Sequence, residues 1–117
     1  MTSRAQIPET EAEFARKVEE LLDLSGFEWY HTRRSDRSKA GFPDYVCIRN
    51  AGLRGSGARN SNELLVFELK GNPVSGRGTL SKDQKKWLHL FAGVPGVKSG
   101  VFWPEDWDAL EKLIMSR

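Results

Sequence analysis

The runs GFPDY at residues 41–45 and ELLVFELKG at residues 63–71 put three charged side chains where a core strand ordinarily carries none. Asp44 follows Pro43 and opens the apolar run Tyr45-Val46-Cys47-Ile48, while Glu68 and Lys70 close the near-continuous apolar run that starts at Leu64. Two carboxylates and a lysine suit one kind of chemistry. Hard oxygen ligands hold Mg²⁺ or Mn²⁺, ions that keep several waters in their shell. Such an ion engages a phosphate oxygen and acidifies water. A neighbouring lysine orients that water, takes its proton or balances charge at phosphorus. Hydrolysis of a phosphodiester needs little else. The alternative is structural: Asp44 as a turn residue behind Pro43, and Glu68 with Lys70 as a surface pair worth less than about 1 kcal/mol. The apolar stretch that leads into Glu68 weighs against that alternative.

The elements that must position these groups are legible in the periodicity. Thr10-Glu11-Ala12-Glu13 fits a capping box, and Phe14, Val18, Leu21 and Leu22 recur at helical spacing, so a helix is expected over 11–24, with Gly26 left-handed just past its end. Phe27 to Thr32 alternates aromatic and polar residues as a short strand does, and a polar loop follows over 33–41. Pro43 cannot donate to a ladder, so the second strand begins at it. Residues 50–62 form a long Gly-, Ser-, Asn- and Arg-rich turn. In the third strand, Leu65, Phe67 and Leu69 share one face, and Leu64, Val66, Glu68 and Lys70 share the other. If the second and third strands pair antiparallel, Asp44 and Glu68 meet at one end of the sheet. A flexible loop over 71–79 leads to a second capping box, Ser81-Lys82-Asp83-Gln84, with Gln84, Trp87, Leu88 and Phe91 on one helical face. A final strand over 97–103 and a closing helix over about 105–115, with Pro104 in its first turn and Trp107, Leu110 and Ile114 inward, complete the order α-β-β-β-α-β-α. The expected fold class is α/β, a mixed central sheet flanked by helices.

Length and composition bound the rest. A chain of 117 residues with 38% hydrophobic content, 4 Trp and 6 Phe is one domain with one core, its first nine residues read as a flexible lead. No apolar run is long enough to span a membrane, and the N-terminus lacks the apolar core of a signal peptide, so a cytoplasmic setting is expected. The single cysteine, Cys47, excludes an internal disulfide and reads as core. Net charge is only +2, yet residues 9–28 are net −5, while residues 33–86 carry twelve bases against five acids, net +7. A basic middle around odd carboxylates points to a polyanionic ligand such as DNA, with an ordinary solvated surface as the other reading.

Pro43-Asp44 followed by Glu68-Leu69-Lys70 resembles the PD-(D/E)xK nuclease signature. The likeness extends to Gly41-Phe42-Pro43-Asp44, Phe67-Glu68-Leu69-Lys70, Leu80-Ser81-Lys82-Asp83-Gln84-Lys85-Lys86-Trp87 and Val101-Phe102-Trp103-Pro104-Glu105-Asp106-Trp107, in the order of the VRR-NUC family. Upstream, Thr10-Glu11-Ala12-Glu13-Phe14 and Tyr30-His31-Thr32-Arg33 are similar to that family as well. The resemblance covers about residues 10–115 and is to the stand-alone minimal form found in phages and bacteria. It implies a restriction-endonuclease-like core and Mg²⁺- or Mn²⁺-dependent cleavage of DNA that leaves a 5′-phosphate. It further implies that Asp44, Glu68 and the backbone carbonyl of Leu69 hold the metal. Lys70 would be the catalytic lysine, Gln84 a helix glutamine close to the site, and Glu11 an acid near the metal through water. The Gly-rich segment 51–62 is longer than the usual strand connection of the family.

The residues themselves separate the glutamates of the first helix. Glu13 is accounted for by capping Thr10, whereas Glu11 has no such role and is the better site candidate. Gln84 has two readings, since a capping box also asks for glutamine there. His31 reads either as a strand residue with a local partner or as a nucleic-acid contact. Arg33, Arg34, Arg37, Lys39, Arg77, Lys82, Lys85 and Lys86 are candidate phosphate contacts, alongside basic loops over 33–39, 49–59 and 77–86 that would grip a backbone without reading sequence. The expected activity is that of a DNA endonuclease, extending to branched DNA in the manner of a junction resolvase. Cutting both strands needs two sites, hence an expected homodimer. The rival is a non-catalytic nucleic-acid-binding module on the same fold.

Overall fold

The Thr10 hydroxyl accepts the Glu13 amide, and the Glu13 carboxylate accepts the Thr10 amide, each at 3.0 Å, so the first helix starts where its capping box places it. The structure is a computed structural model, and it describes residues 10–32, 39–50, 62–71 and 80–116. Helix α1 spans Glu11–Leu24, and Gly26 behind it is left-handed, with φ 84°. Strands β1 (Glu28–His31), β2 (Tyr45–Arg49) and β3 (Glu63–Leu69) follow, then helix α2 (Lys82–Ala92) and strand β4 (Val97–Phe102). A 3₁₀ turn, Pro104–Asp106, leads into helix α3 (Trp107–Met115). The expected element order is reproduced. The differences are small: β2 begins at Tyr45, not Pro43, and the closing helix is split by its 3₁₀ turn.

The sheet order is β1-β2-β3-β4. β1 with β2 and β2 with β3 are antiparallel, and β3 with β4 is parallel, with α2 as the crossover between the last two. Tyr45 stands opposite Phe67 and Cys47 opposite Leu65. Those side chains, with Leu69, face the core shared with Phe14, Val18 and Leu22 of α1 and Leu110 and Ile114 of α3. Burial pushes the Cys47 thiol up to about 12, which fits an inert core residue.

The opposite face carries Val66 and Glu68 and receives α2, whose Leu88 carbonyl accepts a hydrogen bond from the Ser99 hydroxyl at 3.3 Å. None of the α2 side chains is fully buried. Trp87, expected on one helical face with Gln84, Leu88 and Phe91, is half-buried in an aromatic cluster with Phe42 and Phe91, with ring centroids 5.0 Å and 6.0 Å away. Trp107 is likewise half-buried, under the ammonium of Lys17.

Arg49 is a correction to the sequence reading, which placed it at the start of a DNA-gripping loop. It is buried at the end of β2, on the face of Tyr45 and Cys47. Its guanidinium lies 4.4 Å from the centre of the Phe27 ring. It also donates to Glu63 Oε1 (2.8 Å from Nε), the Ser25 carbonyl (2.9 Å) and the Ser116 carbonyl (2.6 Å). One side chain thereby ties the end of α1, the β2–β3 pair and the C-terminal turn together.

Candidate active site

The β2–β3 register, continued one step past Tyr45 and Phe67, sets Asp44 opposite Glu68. The ladder ends there in a side chain: the Asp44 carboxylate accepts the Leu69 amide, 3.0 Å from Oδ2. The next amide, that of Lys70, donates to the Phe102 carbonyl of β4 at 2.9 Å. Backbone on both sides of Leu69 is therefore fixed, by β2 through a carboxylate and by β4 through a carbonyl.

Glu68 is 1% exposed. Burial pushes its carboxyl up to about 8; the adjacent Asp44 pushes the same way, as does Glu11, while Lys70 opposes. The Gln84 side-chain amide reaches Glu68 Oε1 at 3.5 Å, a long contact, and Glu68 Oε2 is buried with no hydrogen-bond partner among the described residues. Two carboxyls this close, with an unpartnered buried oxygen, call for a proton or a cation between them. On that observation the residues fit a divalent cation. Among the described residues, no group of three or more His, Cys, Asp or Glu side chains gathers as a metal site, so the side-chain ligands offered are the Asp44–Glu68 pair.

Both flanking helices bring their first turns to this pair, and in both cases a glycine permits it. Gly71 lies against α1: a Cβ there would come within 2.9 Å of the Glu11 Cβ and 3.0 Å of its amide nitrogen. Glu11 thus enters the field of the site. Partial burial and then the charge of Asp44 raise its pKa, with Lys70 opposing. Gly41 is left-handed, with φ 81°, and a Cβ there would meet the Asp83 carbonyl carbon at 2.5 Å and the Gln84 nitrogen at 2.7 Å. The second capping box forms as expected: the Ser81 hydroxyl accepts the Gln84 amide at 3.1 Å, and Gln84 Oε1 accepts the Ser81 amide at 2.8 Å. The Gln84 oxygen therefore caps α2, while its amide nitrogen faces Glu68.

The remaining candidates are placed as follows. His31 lies on the core face, stacked on the Tyr45 ring with centroids 4.3 Å apart, its Nδ1 3.8 Å from Glu19 Oε2. The Tyr45 hydroxyl donates to that same glutamate oxygen. This is the local-partner reading of His31, on the face away from Asp44 and Glu68. Lys39, Lys82, Lys85 and Lys86 are exposed, three of them on the first turns of α2 beside the site. Arg33, Arg34, Arg37 and Arg77, and most of the Gly-rich segment 51–62, lie outside the described residues. Thr32, which the sequence reading did not single out, adjoins the pair: its amide donates to the Asp44 carbonyl at 2.8 Å. Only the strand register reveals it, because nothing in its local spacing differs from an ordinary strand end. No helix among the described residues is long and apolar enough to cross a membrane.

Comparison with protein-family models, with curated proteins and with solved structures returned no match.

Proposed function

We propose that this chain is a Mg²⁺- or Mn²⁺-dependent DNA endonuclease of the VRR-NUC, PD-(D/E)xK type. The observation that carries the reading is a buried glutamate, one oxygen unpartnered, paired across the sheet with Asp44 beside Lys70. A core has no use for that trio. Asp44 and Glu68 would hold the cation, with the Leu69 carbonyl, in the peptide that joins Leu69 to Lys70, as a further oxygen. When bound, the ion polarises phosphoryl oxygens and acidifies water.

The chain's own groups do the rest. Lys70 orients the attacking water and offsets charge that builds at phosphorus. Gln84 steadies Glu68 from α2, and Glu11 adds an acceptor for water from α1. The exposed lysines of the α2 first turns, with Lys39, contact backbone phosphates without reading sequence. The water oxygen bonds to phosphorus, the bond from phosphorus to the 3′ oxygen breaks, and that oxygen leaves with a proton, so a 5′-phosphate and a 3′-hydroxyl result. A symmetric dimer would present two such sites, as cleavage of both strands or of a four-way junction requires.

The test is incubation of supercoiled plasmid and of branched DNA with Mn²⁺, with and without chelator. The parent is expected to cut both in a chelator-sensitive way, and Lys70→Ala is expected to bind DNA yet lose cleavage by at least about 100-fold. Salt-sensitive binding with no turnover on any DNA form, or full cleavage by Lys70→Ala, would replace this reading with that of a binding module.

A further inference from the structure

We propose that the Thr32 hydroxyl is a further oxygen of the candidate cation site, acting beside Asp44 and Glu68; the inference rests on the cation-dependent reading above. The β1–β2 register pairs His31 with Tyr45, and one step on it pairs Thr32 with Asp44. The hydrogen bond from the Thr32 amide to the Asp44 carbonyl, 2.8 Å, holds that step. His31 stacks on the Tyr45 ring and so faces the core. Alternation along the strand then turns Thr32 to the opposite face, the one that carries Asp44 and Glu68. Thr32, Asp44 and Glu68 form one row across three neighbouring strands.

Two oxygens of that row, Thr32 Oγ1 and Glu68 Oε2, are buried and have no hydrogen-bond partner among the described residues. Buried polar atoms are nearly always partnered, so each needs an explanation. One centre between the strands satisfies both. A hydroxyl is a hard neutral oxygen, of the kind that Mg²⁺ and Mn²⁺ accept alongside carboxylates. Packing alone would not select it: valine has the same branched shape, a higher strand preference and no hydroxyl to leave unsatisfied.

The test is calorimetric titration of Mn²⁺ into the parent, Thr32→Val and Thr32→Ser, with thermal melts in chelator. Thr32→Val is expected to melt at or above the parent without the ion, since an unsatisfied hydroxyl is removed. It should lose about 10-fold in Mn²⁺ affinity. Thr32→Ser keeps the hydroxyl and should bind as the parent does. If Thr32→Val does not fold, the comparison of Thr32→Ser with Thr32→Ala is read in the same way. Parental Mn²⁺ affinity in the hydroxyl-free variant overturns the inference alone. A parent that binds no Mn²⁺ overturns it together with the cation-dependent reading.

Discussion

Asp44 and Glu68 face each other across β2 and β3, and Asp44 also closes the ladder by accepting the Leu69 amide. One carboxylate thus has a structural bond on one oxygen and an acidic neighbour. Asparagine keeps an acceptor for the Leu69 amide and removes the charge. Asp44→Asn is therefore expected to fold, to melt slightly above the parent in chelator, and to lose measurable Mn²⁺ binding by calorimetry. Normal affinity in that variant would contradict the ligand assignment.

The raised Glu68 carboxyl gives stability a definite slope with pH. Its folded value of about 8 lies above the ordinary 4.5, so between those values the folded chain holds a proton that the unfolded chain has released. The contribution is complete below about pH 4.5 and is lost as pH rises through about 8. Urea denaturation in chelator should show stability falling across this window, and Glu68→Gln should flatten that fall. Cation binding has the opposite slope, since the proton must leave first. Mn²⁺ affinity should rise through the same window, with proton release detected as a dependence of binding heat on buffer ionisation enthalpy.

The two glycines separate folding from site assembly. At Gly41, alanine would combine a left-handed backbone with contacts of 2.5–2.7 Å to the first turn of α2. Gly41→Ala is expected to cost about 2 kcal/mol or more in denaturant melts. At Gly71 no left-handed backbone is involved, and the crowding falls on Glu11. Gly71→Ala should cost less stability while shifting the start of α1, read as a loss of cleavage rate greater than its loss of stability explains.

Arg49 and the α2 lysines should behave in opposite ways although all are basic. Arg49→Ala strands Glu63 and two carbonyls and is expected to cost about 3 kcal/mol, with little change in the salt dependence of DNA binding. Lys85→Ala and Lys86→Ala should leave the melting temperature unchanged. Each should lower the slope of log affinity against log salt by about one, measured by fluorescence anisotropy at several salt concentrations.

The particular residues show what sequence can and cannot reveal here. Thr10 and Ser81 mark the starts of α1 and α2 because capping is local, and the alternation in β3 puts Glu68 and Lys70 on one face without knowledge of any partner strand. Glu11 emerged by elimination, since Glu13 was already spoken for by Thr10. Thr32 stands in the run Tyr30-His31-Thr32-Arg33, but its relation to Asp44 was hidden because it depends on a register between strands separated by a loop. Arg49 was misread by its charge, although alternation from Tyr45 and Cys47 already pointed it inward. Gln84 posed a choice that the fold did not require, because its amide has two ends.

The hydrogen bond from the Lys70 amide to Phe102 has a consequence for biosynthesis. In the proposed enzyme the lysine would be aimed only after β4 has docked, once Glu11, Asp44, Glu68 and Lys70 have all left the ribosome. A nascent chain of that enzyme would then cut no nucleic acid until β4 is in place.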